Sequence, residues 1–264
     1  QSQLIARMTD DAPAVSVAHR QNFGAPLLTV RNLSSKDGRV KHADLTAHGG
    51  EILGIFGLGG SGRTELLECI YGYRSRSGGT VSLEERELVP SPESALKGGM
   101  VLLSEDRKGK VMASGLSVAE NILLASYDRF ARHGIVRERA AKDAVAEQVD
   151  DLQIRLRTPE QQLAELSGGN QQKAVFARML LCAPKVFLCD EPTQAVDVGT
   201  RAQIHKLLRQ QTDAGAAVVY VSSDLTELLE VADTVQIVSN GKTGACLPNR
   251  ELTAQQVLTA CYDS

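Results

Sequence analysis

No stretch of this chain approaches the roughly 20 consecutive apolar residues that cross a bilayer, so any tie to a membrane has to run through another protein. No basic excess marks it as a nucleic-acid binder: 29 Lys and Arg face 32 Asp and Glu, a formal net charge of −3. The five cysteines (Cys69, Cys182, Cys189, Cys246 and Cys261) form no C-x-x-C pair, and several sit in apolar runs. They read as reduced packing residues of a cytosolic protein and not as a metal site. The start, Gln1-Ser2-Gln3, has neither the basic nor the apolar region of a secretory signal, and it lacks Met. The expectation is a piece of a longer chain. What is present is ordinary for a globular protein: 264 residues, 42% hydrophobic and 23% charged, enough for one large domain or a core with a subdomain.

Residues 11–27 carry Pro13 and Pro26 and few large apolar groups, and read as a linker. From there Leu28, Val30 and Leu33 suggest a strand, and the apolar segment from Ile52 to Phe56 a second. The latter runs into a glycine cluster at 57–62 and then into a helix whose Leu66, Leu67 and Ile70 share one face. Short strands are expected around Val81 and Leu83 and at Met100–Leu103. Residues 117–165, rich in Ala, Glu, Arg and Gln, are expected to form a helical block. Strand and helix then alternate from Gly168 to Val238, the rhythm of a mainly parallel sheet covered by helices, and Asn240-Gly241 is a two-residue hairpin turn. A faint echo links residues 3–10 to 256–263; if residues 1–10 are the tail of a preceding copy, the domain follows another like it.

Two segments carry chemistry. Gly57-Leu58-Gly59-Gly60-Ser61-Gly62-Arg63-Thr64 fits the phosphate-loop pattern G-x-x-x-x-G-K-[ST] except at the lysine. Its glycines let backbone N–H groups face phosphates, the following helix (with Glu65 in its first turn) adds a positive end, and Thr64 offers a hydroxyl to Mg²⁺. The apolar run from Val186 ends in Asp190-Glu191, which suits a Mg²⁺ ion and an activated water. Between them, Leu166-Ser167-Gly168-Gly169-Asn170-Gln171-Gln172-Lys173 opens a helix with bare N–H groups suited to a phosphate.

In this order and spacing the segments resemble the ATP-binding-cassette (ABC) ATPases: phosphate loop, signature sequence at 166–173, and Walker B strand. Ala195-Val196-Asp197-Val198-Gly199 is similar to the family's D-loop, along the seam between paired cassettes. The resemblance implies an α/β P-loop NTPase fold, with a mainly parallel sheet core, an antiparallel β subdomain and an α-helical subdomain. It covers residues 27–250, with 1–26 as linker or tail of a preceding domain, the helical subdomain near 110–165, and a C-terminal helix in 251–264. Gly-Arg-Thr-Glu-Leu, Ser-Glu-Asp-Arg-Lys at 104–108 and Val-Ser-Ser-Asp-Leu at 221–225 look like the second nucleotide-binding domain of bacterial monosaccharide importers. The ribose, galactose, xylose, arabinose and autoinducer-2 systems belong to that group.

The resemblance implies ATP and Mg²⁺ as cofactors. Residues 57–65, Ser104, Glu105 and the signature group Ser167, Gly168, Gly169 and Asn170 would bind nucleotide, and Thr64 and Asp190 the metal. Glu191 and Ser223 are the catalytic candidates, Glu191 polarising the attacking water. The implied partners are a membrane permease, a second nucleotide-binding domain fused upstream and, indirectly, a solute-binding protein, at the cytoplasmic face of a bacterial membrane; nucleic acid is not among them.

Four departures surround one nucleotide. Arg63 replaces lysine and brings a planar fork of different reach. Ser223 stands where the family places a histidine that contacts the γ-phosphate, and Ser104-Glu105 where it places a glutamine. The loop at 34–41 lacks the usual adenine-stacking aromatic. The expectation is a degenerate site of its own beside an intact signature that serves the partner's nucleotide. Two alternatives stand beside it: a non-hydrolysing regulatory half, and a non-transport ABC ATPase. The latter lacks support, because about 100 residues without sustained heptads separate phosphate loop and signature, and no basic surface is indicated.

Overall fold

The structure, a computed structural model, describes residues 19–105, 112–132, 135–250 and 252–262. The segment 1–18, and with it residues 11–18 of the linker and one half of the echo, lies outside the described residues, as do Asp106, Arg107 and Lys108.

In chain order the first elements are β1 (Pro26–Ser35), β2 (Ala43–His48), β3 (Ile52–Phe56) and helix α1 (Arg63–Tyr71). They are followed by β4 (Arg76–Leu83), β5 (Arg86–Glu87), α2 (Pro92–Gly98) and β6 (Met100–Leu103). Next come α3 (Val118–Leu123), α4 (Tyr127–Phe130), β7 (Ala131–Arg132), β8 (Ile135–Val136) and α5 (Glu138–Asp151). The last third alternates: α6 (Gly168–Leu181), β9 (Val186–Asp190), α7 (Val198–Asp213), β10 (Ala217–Val221), α8 (Leu225–Val231), β11 (Thr234–Ser239), β12 (Lys242–Pro248) and α9 (Ala254–Tyr262).

The central sheet has the order β12-β11-β3-β10-β9-β6 and is parallel except for the β12 edge. Strands β3, β9 and β10 are buried on both faces, which is why they read as unbroken apolar runs. Their side chains alternate between two cores. Leu53, Ile55, Val186, Leu188 and Val219 face the antiparallel sheet β2-β1-β4-β5 and α1. Ile52, Phe56, Phe187, Val218 and Tyr220 face α6, α7 and α8. Asn240 and Gly241, both left-handed (φ 50° and 78°), close the β11–β12 hairpin as a two-residue turn.

The helical block is more varied than its composition suggests. Ser117 and Glu120 form a reciprocal capping box at the start of α3, and a short β7–β8 ribbon interrupts the helices before α5. Its small core joins Val118, Ile122, Val145, Ile154 and Leu163 to Ala174 and Ala177 of α6. Because Val175, Phe176 and Met179 of the same helix enter the main core, α6 has two apolar faces and bridges both bodies. Arg178 fastens the joint: its guanidinium donates to the Asn121 backbone carbonyl at 2.7 Å and to its side-chain oxygen at 2.8 Å.

Candidate functional site

The six-residue loop 57–62 leaves the C-terminal end of β3 and turns into α1. Gly57 must be glycine, since a Cβ there would lie 2.2 Å from the Val238 carbonyl oxygen. Gly62 sits at the helix start with φ 101°, a conformation that strains other residues. The loop is braced from within and from afar: the Ser61 N–H donates to the Leu58 carbonyl at 3.0 Å, and the Gly241 N–H to the Ser61 carbonyl at 2.8 Å. Gly59 is different, because a Cβ there meets nothing within 4 Å and its φ is not left-handed. Among the described residues nothing demands glycine at that position, so the backbone there is left open. Beside the loop lies a cavity of about 310 Å³ lined by Leu58, Gly59, Gly60, Ser61, Asn240 and Cys261.

The carboxylates stand at the ends of the neighbouring strands. Asp190 closes β9 and is 2% exposed, and its Oδ1 has no hydrogen-bond partner. Burial pushes its pKa up to about 7; the Thr64 hydroxyl and Arg63 oppose the rise, while Glu105 and Glu191 add to it. A buried, part-unpartnered carboxylate beside a hydroxyl and two further acids is a place that a cation would relieve. Among the described residues no group of three or more His, Cys, Asp or Glu is set to hold a metal. Mg²⁺ takes one or two protein ligands and fills its shell with water and phosphate oxygens. Thr64 and Asp190 fit that role.

Glu191 follows in a left-handed conformation (φ 48°), its N–H donating to the Val221 carbonyl at 3.0 Å. Burial raises its pKa, against hydrogen bonding from the Ser223 hydroxyl and N–H and the charge of Arg63. Arg63 itself points across the sheet, its Nη1 donating to the Ser222 carbonyl at 3.0 Å. The structure therefore brings Arg63, Thr64, Asp190, Glu191 and Ser223 together at one end of the sheet. Glu105 is exposed and accepts from Gln194 at 3.4 Å. Ser104 is buried with an unpartnered hydroxyl, and Glu65 is half-buried in the first turn of α1. Ser104 also lines a cavity of about 230 Å³ between the main body and the helical block, with Tyr71, Tyr73, Leu96 and Arg178.

The signature group is placed elsewhere. Ser167 caps α6, and its Oγ accepts from Asn170 Nδ2 at 2.9 Å; the Asn170 side-chain oxygen accepts from the Arg155 N–H at 2.9 Å. Gly169 packs tightly on the next loop, where a Cβ would sit 2.8 Å from Thr200 Oγ1. Gly168 is open to solvent with nothing within 4 Å of its would-be Cβ. Like Gly59, it is bare without an internal reason.

One cluster escaped the sequence reading. Thr193, His205, Tyr220 and Ser222 converge on the buried Glu227, behind Glu191 and Ser223. The signal was faint: His205 adjoins Ile204 and Glu227 adjoins Leu228, both on buried helix faces.

A family model described as ABC transporter matches residues 40–194, more than half of the sequence. The chain belongs to the ABC transporter family. Ribose import ATP-binding protein RbsA of Oceanobacillus iheyensis is 35% identical to this ABC cassette over 238 residues, covering 90% of this chain and 48% of that protein. Xylose import ATP-binding protein XylG of Paraburkholderia xenovorans is 42% identical over 224 residues, covering 84% and 43%. The cassette thus spans about half the length of the curated relatives it matches. A nucleotide-free ATP-binding cassette from an ABC transporter superposes with a TM-score of 0.74 at 20% identity, over 90% of this chain and 96% of that one. A dimeric cassette in a post-hydrolysis state, bound to ADP and phosphate, gives 0.73 at 22% identity, over 85% and 99%. The α/β ABC fold read from the sequence is the fold of the molecule.

Proposed function

We propose that this cassette binds and hydrolyses ATP to energise import of a monosaccharide or similar small sugar-like solute through a membrane permease. The observation that carries the reading is the meeting of the bare loop at Gly59, the Thr64–Asp190 pair and the Glu191–Ser223 pair at one end of β3, β9 and β10. Backbone N–H groups of 57–62 and the start of α1 cradle phosphates. Thr64 and Asp190 would hold Mg²⁺, which when bound would offset phosphate charge. Glu191, its pKa raised by burial, accepts a proton from the attacking water, and Ser223 holds that carboxylate in place.

The cassette works as one of two. Ser167 and the bare Gly168 face outward at the start of α6 and, with Gly169, complete a nucleotide site on a second cassette, fused upstream in the same polypeptide; relatives about twice as long as this chain support that arrangement. Val198, 74% exposed at the start of α7, lies on the seam. The site at Arg63 is the slower of the pair, because its guanidinium is engaged with Ser222 rather than free to follow a transferring phosphoryl group. The cavity at Tyr71, Tyr73 and Leu96 receives the permease, and a solute-binding protein delivers the sugar on the far side. On this reading the cassette sits at the cytoplasmic face, held there by the permease; no described helix is long and apolar enough to cross a membrane.

In the complete transporter, altering Ser167 should sharply cut transport-coupled ATPase, whereas altering Ser223 should do little; equal sensitivity overturns the asymmetry. A second reading, a half that only lends its signature, is favoured by the tie of Arg63 to Ser222. Single-turnover cleavage by the chain, compared with Glu191→Gln, decides between them: identical background rates leave hydrolysis to the partner site.

A further inference from the structure

Glu227 is 4% exposed, and no charge in the phosphate-binding apparatus needs it there. Its Oε1 accepts from Thr193 Oγ1 at 2.5 Å, His205 Nε2 at 2.8 Å and Tyr220 OH at 2.9 Å; its Oε2 accepts from Ser222 Oγ at 2.9 Å. Arg201 Nε lies 3.9 Å from the same carboxylate and its Nη1 3.7 Å from Asp224. Burying a carboxylate is costly unless its lone pairs are filled, and here donors from α7, β10 and the loops after β9 and β10 fill them.

Two of these donors have neighbours that matter. Thr193 lies two residues beyond Glu191, and Ser222 immediately precedes Ser223. Ser222 Oγ also accepts from the Asp224 N–H at 3.1 Å, so the bend at 222–224 is fixed on both sides. The other flank of the first loop is held too, Pro192 through its carbonyl by Gln172. The two loops that share this anchor also meet directly, the Glu191 N–H donating to the Val221 carbonyl at 3.0 Å, and Ser223 lies near enough to lower the Glu191 pKa.

We infer that Glu227 is a positioning residue for Glu191: through Thr193 and Ser222 its carboxylate sets the two loops in the register that places Ser223 on Glu191. The inference rests on the proposed water-activating role of Glu191. Glu227 itself touches neither phosphate loop nor water site. Charge-assisted bonds to Thr193 and Ser222 hold those loops more firmly than neutral ones would, and a sub-ångström slip of a catalytic base costs orders of magnitude in rate.

The test uses the full chain. Glu227→Gln keeps shape and volume, removes the charge and turns one acceptor into a donor. Expected results are Mg-ATP affinity by calorimetry within about threefold of wild type, and single-turnover cleavage at least tenfold slower. Amide hydrogen exchange should speed up at 191–196 and 222–226 while α3, α5 and the antiparallel sheet keep wild-type protection. Thr193→Val, which removes one bond of the anchor, should shift the same amides by less and serves as the second variant should Glu227→Gln fail to fold. Wild-type cleavage with unchanged local exchange overturns the inference, as does acceleration spread evenly over all three cores. If the wild-type chain cleaves no faster than Glu191→Gln, the water-activating role falls, and the exchange pattern alone decides whether Glu227 sets the loops.

Discussion

The side-chain amide of Gln172 donates to the carbonyl oxygen of Pro192 at 2.5 Å, tying the helix that begins with the signature to the loop that follows Asp190 and Glu191. Gln172 is wholly buried and its own carbonyl oxygen has no partner, so this single bond accounts for its presence in the core. Gln172→Ala leaves the Pro192 oxygen without its partner and opens a small void. Destabilisation of about 1–3 kcal/mol is expected in urea unfolding. No change in midpoint would mean that the bond is not formed in solution.

Gly168 and Gly169 adjoin in sequence but answer to different constraints. Gly169→Ala places a methyl 2.8 Å from Thr200 Oγ1, so about 1–2 kcal/mol of stability should be lost. Gly168→Ala meets nothing within 4 Å among the described residues and should leave the melting temperature within about 2 °C. The same change should cut ATPase of the paired transporter about tenfold or more if a partner's nucleotide approaches that backbone. A transporter indifferent to Gly168→Ala would exclude that approach.

Two buried acids respond to pH in opposite senses. Asp190, raised to about 7, keeps a proton that the unfolded chain releases. Its contribution is full below about pH 4 and is lost as pH rises through about 7. Glu227, lowered to about 2 because hydrogen bonds from His205, Thr193 and Tyr220 outweigh its large burial cost, contributes above about pH 4 and is lost as pH falls toward 2. Without nucleotide or magnesium, Asp190→Asn should raise the melting temperature at pH 8 by a few degrees and leave it unchanged near pH 4. Glu227→Gln should lower it at neutral pH and converge on wild type near pH 2. Melting curves between these limits check both signs.

Arg63→Lys frees the Ser222 carbonyl and restores a compact charge on a flexible stem. Single-turnover cleavage should rise several-fold, with nucleotide affinity equal or better. A fall in rate would mean that the arginine fork is itself part of the working geometry.

How much of this was legible depended on whether the signal was local. The strand β3, its glycine loop and α1 announce themselves within 20 or so residues, and α6 is bounded by Ser167 at its cap and Pro184 beyond its end. Strand β2 did not stand out, because, of its inward residues Ala43, Leu45 and Ala47, only the leucine is large, and all three alternate with polar ones. Helix α2 was missed as well: it is short, buries only Ala95, and owes its start to the Ser91 cap. The β7–β8 ribbon is hidden in helix-rich composition. At the site, residue types revealed the phosphate loop and the paired acids, but not where Arg63 would point. The Glu227 anchor draws on side chains from residue 193 to residue 227, a convergence that no window of sequence displays.

The brace between Gly241 and the Ser61 carbonyl has a temporal meaning. During synthesis the phosphate loop leaves the ribosome long before the β11–β12 hairpin does, so its final shape waits for the end of the domain. The loop at 57–62 is therefore fully braced only after α6 and both acids, Asp190 and Glu191, have been made.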